Sequence, residues 1–208
     1  MIMKLQVAID RVTLERAKAL CSLFSQTADI VELGTSLIKD YGLLRLRDLK
    51  QVTSPAALLA DIKTSDEGTY EFRQGFNQGM DILTVMGAAS LETLEKCYRE
   101  TAKNNRTMMI DLLECSDQRI KQISHFKQAI YCLHSSIDKG AMNHPARSLA
   151  LFRSNYPTIK RVALAGGITL ASLNELKESE PDIVIVGSAI TKAENPKMEL
   201  KKFKEAIQ

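Results

Sequence analysis

Asp61 and Lys63 lie two residues apart in the run LLADIKT. In an extended chain that spacing puts a carboxylate and an ammonium on one face, with Leu58, Ala60 and Ile62 on the other. The carboxylate can bind a hard cation or exchange a proton, and the ammonium can balance negative charge developing on a substrate oxygen. Four more polar residues end or interrupt short apolar runs: Asp10 after Leu5–Ile9, Glu32 within Ile30–Leu33, Asp111 within Met108–Leu113 and His134 after Ile130–Leu133. Taken singly, each has an ordinary structural use. A carboxylate at a strand end is more often a helix cap or a solvated loop group, and Asp10 could cap a helix beginning near Thr13. A single histidine is more often packed or at the surface than a catalyst, and His125 and His144, in helix-like and loop surroundings, are read that way. Gathered at one end of one fold, however, four carboxylates, a lysine and a histidine would repel and desolvate one another unless a cation, a substrate or a proton transfer used them.

The elements that would gather them are repetitive. Apolar runs recur at Leu5–Ile9, Ile30–Leu33, Leu58–Ile62, Ile82–Val85, Met108–Leu113, Ile130–Leu133, Val162–Ala165 and Ile183–Val186, starting 21 to 32 residues apart. That is the length of one strand, one helix and two short loops. Helix-like segments such as Thr13–Ser25, Ser90–Lys103 and Leu170–Glu178 lie between them, each opening near a Ser or Thr able to cap the first turn. Continuous apolar strands alternating with helices imply a parallel sheet covered on its outer face, and eight such units imply closure into an α/β (β/α)8 TIM barrel. The rival is an open doubly wound sheet, but no G-x-G-x-x-G follows the first strand. Glycine-bearing turns appear instead after the last two strands, as Gly166 and Gly167 in VALAGGIT and as Gly187 with Ser188 in IVIVGSAIT. These are either ordinary turns or a phosphate seat in which backbone N–H groups and a following helix start approach an anion, the place where phosphate-binding barrels put it. In a barrel the loops after the strands' carboxyl ends build the site, so all these residues would face one mouth.

The chain of 208 residues and 23.2 kDa suits a single barrel domain spanning 1–208 with few insertions. Basic residues (28) and acidic residues (25) nearly balance and are scattered, which argues against a nucleic-acid footprint and suits a sugar or phosphate ligand. The uncharged stretch Val162–Leu173 falls far short of the roughly 20 apolar residues of a membrane helix. The start MIMKLQVAID lacks the long apolar core of a secretory signal, so a cytoplasmic location without membrane attachment is expected. Cys21, Cys97, Cys115 and Cys132 form no C-x-x-C pair and read as reduced thiols rather than as a zinc site or disulfides.

With these residues in place the chain resembles a known family. LQVAID (5–10), VELGTSLIKDYG (31–42), ADIKTSDEG (60–68), LTVMG (83–87), LHSSID (133–138), LAGGI (164–168) and IVGSAIT (185–191) are similar to 3-hexulose-6-phosphate synthases and 3-keto-L-gulonate-6-phosphate decarboxylases, of the orotidine-phosphate decarboxylase group of barrels. The D-x-K-x-x-D signature is Asp61, Lys63 and Asp66. The resemblance implies that Glu32 and Asp61 bind magnesium, with manganese as a possible substitute, and that Asp10 and Lys63 hold or polarise substrate oxygens. It implies that Asp66 reaches across the interface of a homodimer with shared sites, that His134 transfers a proton beside Asp111, and that Gly166, Gly167, Gly187 and Ser188 seat the phosphate. Two branches follow from it. The decarboxylase carries an arginine before the aspartate that follows the histidine, another after the last strand's glycine, and Glu in strand five; this chain has Ile137, Ser188 and Asp111 there, as a synthase would. The run Asp138, Lys139, Gly140 departs from the synthase pattern of an acidic or polar residue followed by Gln. The implied activity is a magnesium-dependent aldolase joining ribulose 5-phosphate to formaldehyde through an enediolate. The alternatives are the decarboxylase and a phosphosugar-binding barrel without catalysis.

Overall fold

In the computed structural model, which describes residues 3–135, 144–176 and 179–208, eight parallel strands pair in sequence order and the last pairs with the first. The strands are β1 (Lys4–Ile9), β2 (Ile30–Leu33), β3 (Ala57–Thr64), β4 (Ile82–Met86), β5 (Thr107–Asp111), β6 (Ile130–His134), β7 (Val162–Ala165) and β8 (Ile183–Val186). Gln6 lies opposite Ile185 where β8 closes on β1. The helices are α1 (Leu14–Phe24), α2 (Thr35–Leu46), α3 (Leu49–Thr53), α4 (Gly68–Asn77), α5 (Leu91–Lys103), α6 (Asp117–Ile123), α7 (Pro145–Asn155), α8 (Leu170–Leu176), α9 (Ser188–Thr191) and α10 (Pro196–Ala206). The expected (β/α)8 barrel is therefore observed, closed rather than doubly wound. None of the described helices is long and apolar enough to cross a membrane.

Local chemistry sets the helix starts. Thr13 and Ser90 each accept an N–H from the residue three further on, Arg16 and Thr93, so α1 and α5 begin where the sequence placed their caps. β1, β4 and β6 extend one residue beyond the expected runs, and two strands differ by more. β5 stops at Asp111 rather than Leu113, and β3 runs on to Thr64 through a register shift between Ala60 and Thr64. The far end of the expected helix Leu170–Glu178 lies outside the described residues.

The strands are buried on both faces, which is why they read as apolar runs. Leu5, Val7 and Ile9, with Leu58 and Ala60, pack outward into the layer between sheet and helices. Inside the barrel, Ile30, Ile82, Ile130 and Ile183, the first residues of their strands, cluster with Leu59, Met109 and Cys132. The bulky residues thus plug the amino-terminal end of the barrel and leave the carboxyl end open. At the plugged end one motif recurs: Asp29, Asp81 and Asp182, each directly before a strand, accept the N–H of Leu5, Leu58 and Val162 at 2.8 Å. Each also pairs with a cation, Lys204 for Asp29, Lys50 and Arg106 for Asp81, and Arg153 for Asp182.

Candidate active site

The open end of the barrel holds a cavity of about 820 Å³. Asp10, Glu32, Asp61, Lys63, Asp111, His134, Gly166, Gly167, Gly187 and Ser188 all line it. Asp66 does not: it is exposed beyond β3, and its Oδ1 accepts the N–H of Glu67 at 2.8 Å. His125 stacks on Phe126 and His144 sits at the start of α7, both away from the cavity. Ile137 and Asp138–Gly140 lie outside the described residues.

The centre of the site is a row of charges running across the barrel. Lys63 adopts a left-handed backbone (φ 47°), and its N–H donates to Thr84 Oγ1 at 2.9 Å, which fixes the register shift in β3. From there its ammonium reaches Asp61 Oδ2 and Asp111 Oδ2, both at 2.8 Å. Burial alone would lower the pKa of Lys63, but the two carboxylates outweigh it and hold the ammonium above its ordinary value. Asp111 Oδ2 also takes His134 Nδ1 at 2.9 Å, while Oδ1 accepts the N–H of Leu113. Burial would raise this carboxyl, yet the hydrogen bond from His134 and the charge of Lys63 bring it down to about 2. An ionised Asp111 can only accept, so Nδ1 of His134 carries a hydrogen, and in the neutral ring the lone pair is on Nε2.

Asp61 is more heavily engaged than its neighbours. Thr35 Oγ1 donates to Oδ2 at 2.7 Å and Thr84 Oγ1 to Oδ1 at 2.8 Å. Glu32 is buried, with Oε2 taking the Gln6 Nε2 hydrogen at 2.6 Å. Burial first, and then the charge of Asp61, push its carboxyl up to about 8. The other amide atom, Gln6 Oε1, is buried without a partner among the described residues.

These observations fit a hard cation at Glu32 and Asp61. No three or more His, Cys, Asp or Glu side chains among the described residues converge as a complete ligand set. Magnesium is commonly held by one or two carboxylates, keeping its other positions for water and substrate oxygens, so two suffice. Two buried carboxylates side by side, one of them pushed toward its neutral form, are what a divalent cation would relieve.

Asp10 proves not to cap α1, which Thr13 does. Its Oδ1 instead accepts from both N–H and Oγ of Ser36, at 3.2 and 2.7 Å, at the start of α2. The approach is so close that a Cβ at Gly34 would collide with the Asp10 carboxylate. On the far side, Gly166 (φ 109°) and Gly167 (φ 69°) turn the chain after β7, and a Cβ on Gly166 would lie 2.7 Å from the carbonyl oxygen of Ser135. Sequence reasoning missed Gln6, Gly34, Thr35, Ser36 and Thr84 as site residues. Thr84 carried a usable signal, being a hydroxyl placed inward by alternation in the otherwise apolar run ILTVM.

The model of the family described as orotidine 5′-phosphate decarboxylase / HUMPS matches residues 3–203. A 3-hexulose-6-phosphate synthase from Bacillus subtilis (strain 168) is 31% identical over 207 residues, covering 99% of each chain. Among solved structures, a 3-hexulose-6-phosphate synthase from Salmonella typhimurium superposes with a TM-score of 0.89 at 27% identity, over 99% of this chain and 98% of that one. A 3-keto-L-gulonate-6-phosphate decarboxylase from Vibrio cholerae shares the fold, with a TM-score of 0.86 at 23% identity over 100% of this chain and 98% of that one.

Proposed function

The chain belongs to the orotidine 5′-phosphate decarboxylase / HUMPS family, and from that membership we propose that it is a 3-hexulose-6-phosphate synthase, a lyase joining ribulose 5-phosphate to formaldehyde and running the reverse cleavage. The observation that carries the mechanism is the Lys63–Asp111–His134 row, in which one ionised carboxylate orients an imidazole and anchors an ammonium.

In the forward direction a proton leaves C1 of ribulose 5-phosphate, giving the 1,2-enediolate. C1 then attacks the carbon of formaldehyde, and the formaldehyde oxygen takes up a proton to become the new terminal hydroxyl. His134 serves this reaction because Asp111 holds its Nδ1–H and leaves Nε2 to move the proton. Lys63, kept charged by Asp61 and Asp111, places a positive group where the enediolate oxygens become negative. Asp10, fixed by Ser36, is the acceptor for a substrate hydroxyl, and the turns at Gly166, Gly167, Gly187 and Ser188 take the phosphate. Magnesium bound by Glu32 and Asp61 would supply Lewis-acid charge to the same oxygens.

The exposure of Asp66 outside its own cavity supports a homodimer in which it completes the site of a second copy. The four cysteines, all free, support work in the reducing cytoplasm. The decarboxylase is the second reading, favoured by the shared fold and by the same enediolate, there formed by loss of carbon dioxide. Formaldehyde consumption with ribulose 5-phosphate, measured beside carbon dioxide release from 3-keto-L-gulonate 6-phosphate, separates the two. Consumption that stops on chelation and returns with magnesium or manganese is the expected result. Full activity in excess chelator would overturn the metal assignment, and metal-independent sugar-phosphate binding without turnover would favour a non-catalytic barrel.

A further inference from the structure

The charges lining the cavity are unevenly committed. Four carboxylates, Asp10, Glu32, Asp61 and Asp111, face three cations, Arg11, Lys63 and Lys192. Lys63 is tied to Asp61 and Asp111. Neither the Arg11 guanidinium nor the Lys192 ammonium has an ion-pair or hydrogen-bond partner among the described residues, although carboxylates line the same cavity. The deep end is therefore anionic and the uncommitted positive charge belongs to the rim.

Both cations also lie on the same side. Arg11 follows the end of β1, and Lys192 directly follows α9, the single turn after β8. β1 and β8 are hydrogen-bonded neighbours, α9 packs against β1, and a Cβ on Gly187 would come within 3.6 Å of the Ala8 carbonyl oxygen. The backbone at Arg11 is left-handed (φ 55°), a conformation that a long side chain adopts only when its surroundings impose it. Here the Arg11 N–H donates to Ser36 Oγ at 2.7 Å, and that hydroxyl donates to Asp10 Oδ1. The turn that fixes Asp10 thus also fixes where the Arg11 chain leaves the backbone.

We propose that Arg11 and Lys192 form a cationic bracket over the glycine turns, binding the ionised phosphate of the substrate and setting which way round the sugar lies. The inference rests on the phosphosugar reading above and adds two binding residues to it. A dianion entering a cavity with an anionic floor is repelled unless opposite charge meets it at one end. The bracket meets it at the β8–β1 rim, which leaves the carbonyl end of the sugar to point toward Lys63 and His134. The two residues act on substrate binding and orientation, not on the proton transfer.

The test uses the full-length protein with Arg11→Gln, Lys192→Gln and the double variant, none of which removes a buried side chain. Titration calorimetry with inorganic phosphate is the probe independent of activity. Each single change should weaken phosphate binding about fivefold, and the pair about 25-fold, the scale of exposed charge pairs at separate positions. The KM for ribulose 5-phosphate should rise in step while kcat and the KM for formaldehyde stay near wild type. Arg11→Lys, which keeps the charge, should restore most of the binding, and ribulose lacking its phosphate should bind wild type and double variant alike. Phosphate binding unchanged in the double variant, or absent from the wild type, would overturn the bracket. If the wild type proves inactive with formaldehyde while phosphate binding still falls in the variants, the synthase reading fails and the bracket stands; an active double variant with unaltered KM rejects the bracket alone.

Discussion

Asp111 receives two donors on one oxygen, Lys63 Nζ and His134 Nδ1, so the imidazole and the ammonium are oriented by a single side chain. Replacing His134 with Asn should lower kcat by about 10²-fold or more, the scale for losing a positioned acid–base group, with little change in phosphate binding. His125→Asn, whose ring packs on Phe126 away from the cavity, should leave steady-state kinetics nearly unaltered. Glu32 invites a different measurement. Its carboxyl, at about 8 in the folded chain against an ordinary 4.5, keeps a proton that the unfolded chain gives up. In chelator, the Glu32 contribution to stability should therefore be fully present below pH 4.5 and be lost as pH rises through about 8. Glu32→Gln should flatten that fall in a series of thermal melts and at the same time abolish the stabilisation that magnesium is expected to give the wild type. Magnesium stabilisation that persists undiminished in the variant would remove Glu32 from the metal site. That Glu32, Asp61 and His134 line the cavity was legible because each ends or interrupts an apolar run. Ser36 as the partner of Asp10 was not, because it lies 26 residues away on the next βα unit while a local cap for α1 offered itself nearer.

At the scale of elements, the strands were readable because a parallel barrel buries both strand faces and so writes each strand as a short apolar run. The register shift in β3 was not readable: it depends on Lys63 adopting a left-handed conformation without a glycine to announce it. Inward placement of Asp61 and Lys63 nonetheless follows the simple alternation, since both line the cavity. The recurring aspartates before β2, β4 and β8 also escaped the sequence reading, because they bond across to the neighbouring strand rather than within their own unit. They sit at the plugged end, far from the chemistry, so their effect should be on stability. Asp81→Ala strips the Leu58 N–H of its acceptor and Lys50 and Arg106 of their counter-charge. A loss of about 1–3 kcal/mol is expected in denaturant melts, with specific activity per folded molecule unchanged. Activity that falls at constant stability would mean that the two ends of the barrel are coupled.

For the molecule as a whole, eight recurring runs and terminal glycine turns were enough to specify a closed barrel, but nothing in one chain's periodicity reports on a second copy. The shared-site dimer can be tested by complementation. Asp61→Asn and Asp66→Asn should each be inactive alone, and subunit exchange between them should restore activity, because one site of the mixed dimer carries both changes and the other neither. No recovery after demonstrated exchange would reject the shared-site role of Asp66. The β1–β8 seam has a consequence for the birth of the protein. Its two edges are separated by nearly the whole sequence, and the bracket at Arg11 and Lys192 straddles it. While the chain is being synthesised, the β1 edge and the floor of the cavity wait without their last neighbour until residues 183–186 have emerged. A ribosome-bound chain stalled before β8 should therefore present an open, sticky sheet edge to chaperones and lack the phosphate end of its site, so binding competence arrives late and all at once rather than unit by unit.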